Sequence, residues 1–190
     1  MLVLASRSPR RRQLLEMLEI PHEVDPSPVD EIRGSDESPI TFAERMARTK
    51  AMDRAVHHPQ RWVLGADTVV VVEGEMLGKP DSAGEAEQML MRLSGRRHEV
   101  VSAAALVRDG TVYHDRDVSR VWFRKLESET IRRYVATGEP LDKAGAYGIQ
   151  GKGAVLIDRI EGDFFGVMGL SLRVLTELLE RAGTPYRFTR

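Results

Sequence analysis

No cysteine occurs among the 190 residues, which excludes disulfides, thiolate metal sites and a cysteine nucleophile, and accords with a reducing cytosol. An excess of either charge is also missing, with 28 Lys and Arg against 29 Asp and Glu and a formal net charge of −1. No global basic field is therefore available to hold a long nucleic acid. Any anion must be recognised by a local cluster, which favours a small phosphate ligand. No apolar run is long enough to cross a bilayer. The opening MLVLA is shorter than the apolar core of a secretion signal, and its arginines follow rather than precede it. The expectation is a soluble, cytoplasmic protein with no membrane partner. What is present, 42% apolar residues, suffices for one sizeable core or two closely joined lobes.

Strand and helix patterns alternate along the chain. LVLA at 2–5 reads as a short buried strand, and Leu14, Leu15 and Leu18 follow at helical spacing. HEVDPSPVDEIRGSDESP at 22–39 is rich in proline and acid and reads as an exposed or mobile connection. A helix is expected over 40–57, with an apolar line from Ala43, Met46 and Ala47 that Lys50 interrupts. WVLGADTVVVV at 62–72 is a β-branched run containing one acid, Asp67. After EGEMLGKP, Ser82 and Glu85 match a capping box for a helix that Gly95 ends. HEVVSAAALV, the turn Asp109-Gly110 and a second arm through 118–123 suggest a hairpin. A helix over 128–137, a glycine-rich loop over 139–153, the strand AVLIDRI and a last helix over 171–182 complete the chain. The interleaving, together with the hairpin, predicts a mixed α/β sheet with flanking helices.

Three stretches could carry chemistry. In LASRSPRRRQLLEML at 4–18, Ser8 and Pro9 suit the start of a helix, so Arg10, Arg11 and Arg12 crowd an end that is already positive. A bound anion would explain them, because a helix N-terminus and arginine both hold phosphate oxygens; an exposed basic turn is the alternative. A carboxylate within a buried strand, as Asp67 is placed, requires a cation, a metal or a cleft, and such groups serve as general bases or metal ligands. A structural aspartate bonded to a neighbouring loop would look the same. In DKAGAYGIQGKG, Lys143 and Gln150 could touch a phosphate or a base edge and Tyr147 could stack, although an irregular connection also explains the glycines. Lys50, Lys79 and Glu31 read in isolation as solvated charges, and the five histidines lack metal-ligand spacing.

Taken together, LASRSPRRRQLL, GADTVVVV, LGKPDS, LSGRRHEV and GEPLDKAGAYGIQGKG closely resemble the Maf family of nucleoside triphosphate pyrophosphatases, in family order and over almost the whole chain. The resemblance implies a single Maf-like domain over 1–190, built as two lobes around a cleft like the inosine triphosphate pyrophosphatases, and a homodimer. It implies cleavage of a nucleoside triphosphate between the α and β phosphates with a divalent cation, Mg²⁺ or Mn²⁺. DKAGAYGIQG resembles the subgroup acting on dTTP and UTP. By motif, Asp67 would be the proton acceptor that activates water, and Arg11, Thr68 and Gln150 would set base preference. Ser6, Arg10, Lys50 and Lys79 would line the triphosphate site. Glu31 would hold the metal with Asp67 or share the base role, which turns the acidic connection into a plausible flap. Phe164, Gly166 and Ser171 depart from the usual pattern. The competing readings are a non-enzymatic nucleotide-binding regulator of cell division and a metal-dependent phosphatase releasing orthophosphate.

Overall fold

The structure, a computed structural model, describes residues 1–188. Seven strands form one mixed sheet: β1 (Leu2–Leu4), β2 (His22–Val24), β3 (Val63–Val72), β4 (Glu75–Leu77), β5 (Arg97–Arg108), β6 (Thr111–Phe123) and β7 (Ile157–Glu161). The strand order is β2-β1-β3-β5-β6-β7, with β4 paired to β3. Parallel pairing of β1 with β2 and β3, and antiparallel pairing of β3 with β4 and β6 with β7, make the sheet mixed as expected. The helices are α1 (Pro9–Met17), α2 (Pro39–Ala55), α3 (Ala83–Leu93), α4 (Ser128–Val135), α5 (Phe164–Met168) and α6 (Leu172–Arg181).

Local chemistry sets most boundaries. Ser38 caps α2 by accepting from Thr41 N at 3.1 Å, and Ser82 caps α3 by accepting from Glu85 N at 3.2 Å. Glu85 returns a contact to Asp81 N at 2.7 Å. The β5–β6 turn has positive φ at both Asp109 and Gly110, which matches the right-handed twist of a two-residue hairpin. Glu73 and Gly74 make the same turn and return the chain as β4. Nothing in the sequence announces this strand, because only three residues pair and they carry no β-branched signal. β2 corrects the start of the acidic connection, pairing Leu2 with His22. The last strand begins at Ile157 rather than Ala154, since 152–156 closes as a 3₁₀ turn.

The chain divides into two compact units. The first comprises residues 1–67, 102–117 and 169 onward, with buried Val3, Leu15, Met46, Leu64, Leu106 and Leu175 among its core. The second comprises 68–101 and 118–168, around Val70, Leu90, Val121, Phe123, Ile131 and Tyr147.

Candidate active site

Asp67 lies in the middle of β3 and is only 4% exposed. Withdrawing an ion from water costs several kcal/mol even after relaxation, so this carboxylate requires a partner. Lys50 supplies it from α2, with Nζ 2.6 Å from Asp67 Oδ1. Gly65 makes the approach possible. A Cβ at that position would lie 2.1 Å from the Ala47 carbonyl oxygen and 2.7 Å from Ala51 N, so only glycine lets the α2 backbone rest on β3. Ala47 and Ala51 flank Lys50 on the helix, and this contact therefore sets the depth from which Lys50 reaches Asp67. The sequence signal was a glycine inside a β-branched run, two residues before the acid.

Lys50 Nζ also donates to Glu31 Oε1 at 2.6 Å. One ammonium thus joins a buried carboxylate to another that is 49% exposed. The stretch carrying Glu31, expected to be exposed or mobile, is anchored in the first unit. Asp25 Oδ2 shares a 2.9 Å hydrogen bond with His58 Nε2, and the Ser27 hydroxyl donates to Asp53 at 2.7 Å.

The strand-to-helix turn at the start of the chain supplies the next cation. Ser8 is the N-cap of α1 and Pro9 opens its first turn. Arg11 is turned inward and buried, its Nε donating to the Gly169 carbonyl at 2.9 Å and its Nη1 to Ser6 Oγ at 3.0 Å. Ser6 Oγ also accepts from Ser8 N at 3.2 Å, which fixes the bend. Burial lowers the Arg11 pKa below its usual value, while the nearby charges of Asp67 and Glu31 oppose that shift and Arg10 adds to it. For Asp67 burial dominates in the opposite sense: the pKa is raised although Lys50 and Arg11 pull it down, and Glu31 pushes it further up. The result is a desolvated carboxylate with heightened proton affinity beside two cations, Lys50 and Arg11, a setting suited to a general base.

The structure therefore brings Ser6, Arg10, Arg11, Glu31, Lys50 and Asp67 together in the first unit. Thr68, Lys79, Lys143 and Gln150 belong to the second. Thr68 follows Asp67 on β3 and is half-buried, while Lys79 and Gln150 are exposed. Lys143 Nζ closes its own loop, donating to the Glu139 carbonyl and to Asp142 Oδ1, each at 2.5 Å. Glu139 pins the same loop by accepting from Tyr134 Oη at 2.9 Å, Lys152 N at 3.0 Å and Gly153 N at 2.9 Å. Tyr147 does not present a face for stacking. It is 5% exposed, packs edge-on against Phe123 at 4.8 Å, and shares a 2.7 Å hydrogen bond with His98 Nε2. Its ring is more favourable filling the core than held in water. His98 is buried with it, and burial lowers its pKa to about 4.

The family model described as Maf-like protein matches residues 1–182. The chain belongs to the Maf-like family. Among curated members, the dTTP/UTP pyrophosphatase of Symbiobacterium thermophilum is 50% identical over 186 residues, covering 97% of this chain and 95% of that one. The dTTP/UTP pyrophosphatase of Myxococcus xanthus is 47% identical, covering 97% and 94%. That of Moorella thermoacetica is 51% identical, covering 94% and 93%. Among solved structures, the Staphylococcus aureus Ham1 protein superposes with a TM-score of 0.49 at 15% identity, covering 95% of this chain and 89% of that one.

Two features of this Maf-like chain bear on its chemistry. The donor set fits a hard divalent cation: Asp67 and Glu31 are oxygen donors already gathered around one positive charge. Among the described residues no cluster of three or more His, Asp or Glu is set to hold a metal alone. At the departures from the family pattern, Ser171 caps α6 by accepting from Val174 N at 3.3 Å, and Gly166 N donates to Asp163 Oδ1 at 2.9 Å. Phe164 is 43% exposed and stacks edge-on with Phe165.

Proposed function

We propose that this chain is a nucleoside triphosphate pyrophosphatase that cleaves dTTP and UTP between the α and β phosphates. The observation that carries the reaction class is 47–51% identity, over more than nine-tenths of the chain, to proteins named dTTP/UTP pyrophosphatase. The buried network supports the mechanism. Asp67 takes a proton from a water whose oxygen attacks the α phosphorus; the bond to the bridging oxygen breaks, and pyrophosphate leaves with its electron pair. Asp67 is assigned as the base because burial raises its proton affinity, whereas Glu31 faces solvent. Lys50 orients both carboxylates. Arg10, Arg11, Ser6 and Lys79 bind the phosphates, where guanidinium groups and a helix N-terminus suit a polyanion. Thr68 and Gln150, with Arg11, select the base, since an amide can both donate to and accept from a pyrimidine edge. Lys143 acts on the loop that carries Gln150. When bound, Mg²⁺ or Mn²⁺ held by Asp67 and Glu31 would neutralise charge on the phosphates.

Among the described residues no helix is long and apolar enough to cross a membrane. We place the activity in the cytoplasm, on its nucleotide pool, and expect a homodimer, which light scattering would report as twice the 21.3 kDa chain. The functional test is product analysis with Mg²⁺ or Mn²⁺ across dTTP, UTP, CTP, dATP and GTP. Monophosphate and pyrophosphate from dTTP and UTP are expected. Orthophosphate as the first product would refute the reaction, and preference for a purine would refute the specificity.

A further inference from the structure

The stretch between β2 and α2 has neither a helix nor a sheet ladder to hold it, yet it delivers Glu31 to within 2.6 Å of Lys50 Nζ. The residue next to it, Ile32, is 73% exposed and offers no apolar anchor at that point. The hold comes from α2 itself. Arg45 donates from Nε to Glu37 Oε1 at 2.7 Å and from Nη2 to Glu37 Oε2 at 2.7 Å. The same Nη2 donates to the Ile32 carbonyl at 2.8 Å, immediately after Glu31 in the chain. Glu37 closes the strap by accepting from Gly34 N at 3.2 Å on Oε2, while its carbonyl accepts from Arg33 Nε at 2.8 Å.

We propose that Arg45 and Glu37 are positioning residues that hold Glu31 against Lys50 and so complete the carboxylate pair of the site, an inference that rests on the function proposed above. One helix carries both fixed points. Arg45 grips the backbone beside Glu31 and Lys50 receives its carboxylate, so the spacing along α2 acts as a ruler. The planar fork of arginine is what allows one side chain to serve a carboxylate and a carbonyl together; a lysine offers only a point charge. Released from this grip, Glu31 would sample many positions, and a misplacement of about 1 Å can lower a rate by roughly 100-fold.

The test compares wild type, Arg45→Met, Glu31→Gln and the double variant. Backbone hydrogen exchange over 28–37 and pyrophosphate release from dTTP are measured on each. Arg45→Met is expected to speed exchange over 28–37 and to lower turnover about tenfold or more. In the Glu31→Gln background the same change should alter turnover by less than about twofold, because the group being positioned is gone. Unchanged exchange, or an equal loss in both backgrounds, overturns the proposal. If Arg45→Met fails to fold, Glu37→Gln weakens the same strap and replaces it. A wild type that releases no pyrophosphate refutes the proposed reaction, and the exchange comparison then decides the strap by itself.

Discussion

Replacing Gly65 by alanine adds one methyl group to the interior of β3. That methyl would sit 2.1 Å from Ala47 O, 2.7 Å from Ala51 N and 2.9 Å from Ala51 Cβ. Ordinary contacts begin near 3.5 Å, so α2 must retreat by about 1 Å. Overpacking of this kind costs about 1–3 kcal/mol, which for a chain of this length lowers Tm by roughly 2–12 °C. The sign is diagnostic, since Gly→Ala in an unhindered strand is stabilising by about 0.5–1 kcal/mol. Activity should suffer more than stability. The retreat draws Lys50 away from Asp67, and about 1 Å of misplacement can lower a rate roughly 100-fold. Gly78→Ala is the control, because an added Cβ meets nothing within 4 Å there. Thermal melts and pyrophosphate release from dTTP should separate the two variants clearly. A Gly65→Ala protein that melts and turns over like wild type would refute the claim that this contact sets the geometry of the site.

Two further predictions concern charge. Lys50→Met removes the strongest influence holding the Asp67 pKa down. A base works only when deprotonated, so the acid limb of kcat/KM should move to higher pH while turnover falls; an unmoved limb would separate Lys50 from the base. His98 is neutral in the fold, with its pKa lowered from 6.5 to about 4. The unfolded chain therefore takes up that proton first. The stabilisation is complete above about pH 6.5 and is lost as pH falls towards 4, reaching about 3 kcal/mol. Urea midpoints across that range should fall for wild type and flatten in His98→Leu. An unaltered slope would place the acid sensitivity elsewhere.

Much of the fold was legible because its signals are local. Ser82 with Glu85, Asp109-Gly110 and the β-branched run around Asp67 each announce their element within a few residues. β2 and β4 were not legible, since three-residue strands are made by their partners rather than by their own sequences. At the site, Asp67 was visible as an acid in an apolar strand, whereas Lys50 alone looked like a solvated charge. Its meaning depends on the packing of α2 on β3, which Gly65 permits and no spacing in the sequence specifies. Arg45 and Glu37 were hidden for the same reason: eight residues apart, they meet only because the chain turns at Ser38 to begin α2. Tyr147 shows the opposite error. A tyrosine among glycines suggested a stacking platform, but the ring fills the core and leaves the polar work of its loop to Glu139 and Lys143.

The central claim is that buried Asp67 activates the water that cleaves the α–β bond. Its most direct test is pyrophosphate release from dTTP by Asp67→Asn, with folding verified by circular dichroism. Asparagine keeps the size of the side chain but cannot accept the proton, and loss of a general base lowers a rate by about 10²–10⁴-fold. The account predicts a folded protein with turnover reduced by that amount. A folded Asp67→Asn enzyme releasing pyrophosphate at the wild-type rate would contradict it.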